Sequence, residues 1–408
     1  MLNILRKIIP EPIKKRVRTV SSMCELYQIH RQPELHRRAL RELKGKNKLT
    51  VAFFLLTSSV WKYDGVYRLM LGDARFDPKI VVCPIVNYGK ENMLFEMEKA
   101  YCHFRDKGYD PIKAYDANTE RFLDVKKEIA PDIVFFTNPH RLTSEDYYIT
   151  HFKETLSCYV PYNFNNTHLF FGQNDQLFHN ILWKAFYETD IHLKIARKAR
   201  NKARNVVITG YPGVDDLVYG LRAENNAWKD CGPKTRRVIW APHHTIDNRE
   251  DLSYSNFLKY HELFPALVKK HRDELQLAFK PHPLLKVKLY NHGDWGQTRT
   301  DAYYRQWQDM ENTQLETDSY VDLFNASDAM ILDSGSFTAE YLYCGKPSLF
   351  TIFNAETRTK FNEFGKMALD QHYHAHSEDD IISFIEKVVL DGQDTMKAQR
   401  DHFYETYL

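Results

Sequence analysis

The chain has 408 residues, 43% of them hydrophobic and 27% charged, with a net charge of +2. This is the profile of a globular protein of two or three domains, not of a fibrous, disordered or membrane-embedded chain. Six widely spaced cysteines form no CxxC pair, which argues against a zinc knuckle or a disulfide framework and fits reduced thiols in the cytoplasm.

Charge is uneven along the chain. Residues 1–48 hold 13 Lys and Arg against 4 Asp and Glu, a surplus of +9 that leaves the remainder at −7. Between residues 1 and 18, Leu2, Ile4, Leu5, Ile8, Ile9, Ile13 and Val17 are interleaved with Arg6, Lys7, Lys14, Lys15, Arg16 and Arg18. Such a segment suits the headgroup layer of an anionic membrane surface, although Pro10 and Pro12 interrupt it. A solvated or packed terminal segment is the alternative. There is no signal peptide and no run of about 18 apolar residues, so the expected location is cytoplasmic, peripheral on the inner face of the membrane if the basic segment binds there. No basic stripe or RNP-type motif follows, and nucleic acid is not an expected partner.

After the basic head, strand and helix signals alternate. KLTVAFFLL (48–56), KIVVCPIV (79–86) and PDIVFFTNP (131–139) are apolar runs of the kind a doubly buried parallel strand requires. ENMLFEMEKAYCHFRDKGY (91–109) has helical periodicity. The rhythm restarts at NVVITGYP (205–212) and continues through RVIWAPH (237–243), LQLAFKPHP (275–283) and AMILDSG (329–335), with a helix over 254–271. An α/β fold of two Rossmann-like domains facing a cleft follows, with parallel sheets covered on both faces. The reading is a first domain over 49–200, a second over 201–377, a join near 190–205, and a C-terminal helical segment, 378–408, placed to cross back to the first domain.

Ligands of open α/β sheets sit at the carboxyl ends of strands. AMILD runs into Ser334, Gly335 and Ser336, with Thr338 and Glu340 beyond. Small hydroxyl residues before a helix suit a diphosphate, because the first backbone N–H groups are unpaired and Gly335 permits close approach. An ordinary serine N-cap is the plainer reading. Glu340 is either a ribose ligand or an exposed helix residue. LQLAFK ends in Lys280, Pro281, His282 and Pro283; a rigid histidine there could donate to a phosphate or act as general acid, or could be a surface turn. RVIWAP ends in His243 and His244, which on extended backbone would point opposite ways and so not share a metal. Gly210 and Pro212 belong to a tight turn after VVIT and are read as donor-binding, a plain strand-to-helix connection being the alternative. HYHAH (372–376) has the composition of a metal tract, but a connecting segment is favoured and no metal is expected.

The set TGYP (209–212), WAPHH (240–244), KPHP (280–283) and the stretch 319–350 resembles the CDP-glycerol glycerophosphotransferase family, the teichoic-acid and capsule-type polymerases. The resemblance covers roughly the C-terminal half. It implies a GT-B-like fold, a CDP-activated alditol donor bound by the C-terminal domain, His282 as an essential residue, and Ser334 and Ser336 at the diphosphate. The histidine that such proteins carry in an N-terminal His-Gly-Thr-Pro motif has no counterpart here. TLSCYVPYNFNNTH (155–168) offers His168, and NPH (138–140) offers His140, as candidate bases. The implied reaction moves glycerol or ribitol phosphate to a hydroxyl of a cell-surface glycan, polymer or lipid-linked acceptor, releases CMP and needs no cofactor. A GT-B glycosyltransferase using a nucleotide sugar, or a non-catalytic nucleotide-binding subunit of a polysaccharide assembly, are the other readings.

Overall fold

A computed structural model of the chain describes residues 11–219, 227–232, 235–247, 252–317 and 320–408. The proposed membrane segment therefore lies in large part outside the described residues. The chain divides into two compact units: 1–162 with 170–209, and 163–169 with 210–408.

The first unit opens with a long helix, α1 (Glu11–Glu42). A seven-stranded sheet follows: β1 (Leu49–Leu55), β2 (Phe76–Val82), β3 (Pro111–Lys113), β4 (Ile133–Phe136), β5 (Leu156–Tyr159), β6 (Lys184–Tyr187) and β7 (Val206–Ile208). Their order is β3-β2-β1-β4-β5-β6-β7 and every pairing is parallel. Val51 to Leu55 is buried throughout, which is why VAFFL shows no alternation: both faces of a parallel sheet are covered. Phe53 stacks on Phe135 of the neighbouring strand at 4.7 Å.

The second unit carries a six-stranded parallel sheet: β8 (Arg236–Ala241), β9 (Leu275–Phe279), β10 (Thr313–Leu315), β11 (Ala329–Leu332), β12 (Ser348–Thr351) and β13 (Tyr373–Ala375), in the order β10-β9-β8-β11-β12-β13. The strand order reverses direction beside β8, so β8 and β11 flank the position where α/β sheets open a binding crevice. Beneath them Trp240 packs on Phe264 at 4.1 Å, Phe279 at 5.0 Å and Phe257 at 5.7 Å. Each such aromatic contributes roughly 1.5–3 kcal/mol by burial, so the strand ends above stand on a rigid floor.

Five expectations need correction. NVVITGYP is not the first strand of the second half but the edge strand of the first sheet, β7, paired to β6. Residues 190–205 are accordingly inside the first unit, and Gly210, Tyr211 and Pro212 make the turn that leads out of it. Residues 163–169 belong with the second unit, not with the first. The C-terminal helix α2 (Lys397–Tyr407) packs within the second unit, Phe403 against Phe364 and Tyr404 against Tyr343. HYHAH is strand β13 rather than a connector. His372 beside it is buried with Nδ1 bonded to Ser348 Oγ and Nε2 to the Thr338 carbonyl, so neither ring nitrogen is open to a metal.

Candidate active site

Two strand ends of the second unit are tied by one carboxylate. Asp333, directly after β11, accepts the amide of His243 on Oδ1 at 2.5 Å and the amide of Asn256 on Oδ2 at 2.7 Å, with Thr351 Oγ1 at 3.4 Å. Burial lifts its pKa to about 7 against those donors. The third strand end joins through the backbone: the His282 amide donates to the Pro242 carbonyl at 3.0 Å. Asp333 thus anchors the loop carrying His243 and His244, rather than serving the serine turn alone.

The consequence is a cluster of three imidazoles. Ring centroids lie 4.3 Å apart for His243–His244, 4.3 Å for His244–His282 and 5.1 Å for His243–His282. The expectation that His243 and His244 point apart is overturned. Both lie past the last strand residue, Ala241, and the chain turns there, with the Ile246 amide donating to the His244 carbonyl; strand alternation ends with the strand. Burial first, then His244, Lys288 and Lys280, holds His282 at a pKa of about 3. His243 is likewise held well below its ordinary value. His243 and His282 are therefore neutral near pH 7 and placed to gain from an anion.

One nitrogen from each ring lies within 4.8 Å of the others, a spacing a metal ion could use. The tautomer of His282 argues otherwise. The Leu284 N–H donates to Nδ1 at 3.1 Å, capping the helix α3 (Pro283–Tyr290). A neutral ring accepting at Nδ1 carries its proton on Nε2, which makes Nε2 a donor and not a lone pair. A donor suits a phosphate oxygen.

The serine turn differs from the expected helix start. Only one α-turn, Phe337–Glu340, follows it before a 3₁₀ turn, Tyr341–Cys344, ending at Gly345 with φ +65°. So short a piece develops little macrodipole. Ser336 sits at its N-cap without a side-chain capping bond, so the plain capping role does not hold. Thr338 is fully buried and donates its hydroxyl to the Ser334 carbonyl at 2.8 Å, closing the turn from inside. Glu340 is not exposed but 2% accessible, its carboxylate accepting Tyr320 Oη at 2.5 Å. Lys280 is buried at the end of β9.

Residues 163–169 pack on this turn. Asn166 donates its side-chain amide to the Gly335 carbonyl, and the Asn362 amide donates to the Asn166 carbonyl at 2.9 Å. A Cβ on Gly335 would meet Asn166 Oδ1 at 3.6 Å and Tyr254 at 3.8 Å. His168 is exposed, and its Nδ1 bonds the Lys360 carbonyl at 2.9 Å. Because a carbonyl only accepts, Nδ1 carries the proton and Nε2 presents a lone pair to solvent.

His140 lies elsewhere, in the first unit past β4. Its Nδ1 is 3.2 Å from Gln176 Nε2 and its Nε2 3.5 Å from Tyr162 Oη. Burial lowers its pKa. Beside it His179, buried and held at about 3, has no hydrogen-bond partner at either ring nitrogen among the described residues. The sequence reading missed His179, Asn166, Asn256 and Lys288. Of these only Asn166 lay in a stretch marked by its content, NFNNTH.

Two parallel-sheet units, the second with histidine- and serine-bearing strand ends, define a GT-B-like architecture. Solved structures share it. The UDP-GlcNAc 2-epimerase of Neisseria meningitidis bound to UDP-GlcNAc matches with a TM-score of 0.57 and 13% identity over 86% of this chain and 93% of that one. A variant of the wall teichoic acid polymerase TagF matches with a TM-score of 0.54 and 14% identity over 97% and 92%. The S. aureus MnaA–UDP structure matches with 0.55 and 12% over 86% and 90%. At these identities the likeness is one of fold. No curated protein sequence matches the chain. The sequence itself is more specific: residues 185–408 match CDP-glycerol:poly(glycerophosphate) glycerophosphotransferase, and the chain belongs to that family.

Proposed function

We propose that the chain transfers an alditol phosphate, glycerol or ribitol phosphate, from a CDP-activated donor to a hydroxyl of a cell-surface polymer, releasing CMP. The observation that carries this reading is the His243–His244–His282 cluster at the carboxyl ends of β8 and β9, in the part of the chain that defines the family. An acceptor oxygen attacks the phosphorus bearing the alditol, the P–O bond to CMP breaks, and both electrons leave with CMP. Such in-line transfer depends on positioning and on donors aimed at the developing charge. His282 Nε2–H meets the phosphate oxygens of the leaving CMP, with His243, His244 and Lys280 around it and Ser334, Gly335 and Ser336 on the other side. His168 Nε2 takes the proton of the attacking hydroxyl. The basic segment 1–18 holds the enzyme to an anionic membrane surface, where such acceptors are anchored.

The test is turnover with CDP-glycerol, CDP-ribitol, UDP-GlcNAc and GDP-mannose as donors. CMP release from a CDP-alditol supports the reading; release of UDP or GDP supports a sugar transferase instead. His282→Ala should cut CMP release about 10²–10⁴-fold while the unfolding transition stays cooperative. Undiminished release by that variant removes His282 from the mechanism.

A further inference from the structure

The first unit holds a cavity away from its strand ends. A groove of about 770 Å³ runs between α1 and the segment 126–154, lined on one side by Met23, Tyr27, Arg31 and Leu35 and on the other by Lys126 and Lys153. That volume lies in the range of about 300–1,000 Å³ that small-molecule sites occupy. The groove is built, not a gap beside a loose helix. Gln32 Nε2 donates to the Lys153 carbonyl at 2.6 Å, Arg200 pairs with Glu25 at 2.5 Å, and Ile29 and Ala39 of α1 are buried.

The lining has two chemistries. Met23 and Tyr27 are 65% and 63% exposed, large apolar surface that a folded chain normally covers. Arg31, Lys126 and Lys153 stand against a single acid, Glu154. Gln28, also in the lining, keeps a buried Oε1 with no donor among the described residues. Apolar walls with a cationic rim match an anionic amphiphile, and α1 begins within the cationic, apolar stretch 1–18. We propose that this groove binds one molecule of an anionic glycerophospholipid, its acyl methylenes along Met23, Tyr27 and Leu35 and its phosphate on Arg31, Lys126 and Lys153. The inference rests on the membrane part of the reading above and not on the transfer chemistry.

The full chain should bind dihexanoyl phosphatidylglycerol, below its micelle concentration, saturably and one to one by titration calorimetry. Dihexanoyl phosphatidylcholine should bind at least about tenfold more weakly, since each cation near a phosphate is worth about a fivefold change. Glycerol 3-phosphate, the headgroup without chains, should bind more weakly still. Tyr27→Asp and Arg31→Glu, both at exposed positions, should each lower affinity about tenfold with unchanged thermal unfolding and unchanged CMP release from a CDP-alditol donor in the presence of a soluble acceptor. Reversing Lys14 and Lys15 to glutamate should weaken vesicle binding yet leave the short-chain lipid affinity within about twofold, which separates the groove from the basic segment. No saturable binding of the phosphatidylglycerol overturns the proposal. So does glycerol 3-phosphate binding as tightly as the lipid, or both groove variants binding like the parent.

Discussion

The backbone amide of His243 donates to Asp333 Oδ1 at 2.5 Å, joining the loop after β8 to the end of β11. Asp333 also receives the Asn256 amide; Asp333 and Asn256 are buried and His243 is half-buried. Asp333→Ala would strand one buried N–H group, of Asn256, and one half-buried, of His243, a lost partner costing about 1–3 kcal/mol for a buried group. Asp333→Asn keeps one carbonyl acceptor and should cost less. We expect the alanine variant to lose roughly 2–5 kcal/mol in urea unfolding and the asparagine variant under half of that. An alanine variant as stable as the parent would show that the carboxylate does not hold the loops.

The pH dependence follows from Asp333 and from His282, past the end of β9. His282 falls from an ordinary 6.5 to about 3 on folding. Between those values the unfolded chain binds the extra proton, so this contribution to stability is present above pH 6.5 and is lost as pH falls toward 3. Asp333 rises from 3.8 to about 7. There the folded chain binds the extra proton, so its contribution is full below 3.8 and is lost as pH rises through 7. The two slopes oppose each other between about pH 4 and 6.5. Asp333→Asn removes one of them, and acidification over that window should destabilise the variant more steeply than the parent. Parallel stability curves for the two proteins would contradict the shifted Asp333.

The strand pattern was legible because parallel strands buried on both faces need unbroken apolar runs, as VAFFL and AMIL show. The pairing was not. NVVITGYP reads equally well as the first strand of one sheet or the last of another, and only its partner, Lys184–Tyr187, decides. That partner, like Leu156–Tyr159 and Ser348–Thr351, is four residues long, too short for a periodicity signal. Of the four strand-end motifs, three mark the candidate site of the second unit, while TGYP closes the last strand of the first sheet. The geometry of the site was not legible, since His243 and His244 converge on His282 only because the backbone turns at a place fixed by a carboxylate 90 residues away. Asn166 reaches Gly335 across 169 residues, and no local pattern encodes a contact of that span.

Gly365 is where that long contact would break. A Cβ there would stand 2.2 Å from the Asn166 carbonyl oxygen and 2.9 Å from Phe361. The first obstacle is backbone, so it cannot rotate away. Gly365→Ala should cost about 1–3 kcal/mol by overpacking and, by pushing residues 163–169 off the serine turn, should also lower kcat. Gly293→Ala, with open space around its Cβ, is the matched control and should leave both unchanged. Equal behaviour of the two variants would mean that the 163–169 segment yields freely.

The His282 tautomer predicts the response to chelation. With the Leu284 N–H on Nδ1, the ring offers Nε2–H to its neighbours, and binding a metal would require surrendering either that proton or the helix cap. Turnover of a CDP-alditol should therefore survive dialysis against EDTA and gain nothing from added Zn²⁺. Activity lost to EDTA and restored by stoichiometric Zn²⁺ would make the three histidines a metal site.

Two histidines compete for the part of general base, and their hydrogen bonds separate them. His168 donates Nδ1–H to the Lys360 carbonyl, leaving Nε2 as an exposed lone pair. His140 is half-buried, crowded by Gln176 and Tyr162, with its pKa lowered by burial, and a weaker base abstracts a proton less readily. His168→Ala should lower kcat about 10²–10⁴-fold while CDP affinity, measured by calorimetry, stays within about twofold. His140→Ala should cost less than about tenfold. Added imidazole should restore part of the activity of the His168 variant, which a merely structural loss would not permit. If instead His140→Ala carries the larger loss and the imidazole rescue, the proton goes to the first unit and residues 163–169 serve only to brace the serine turn.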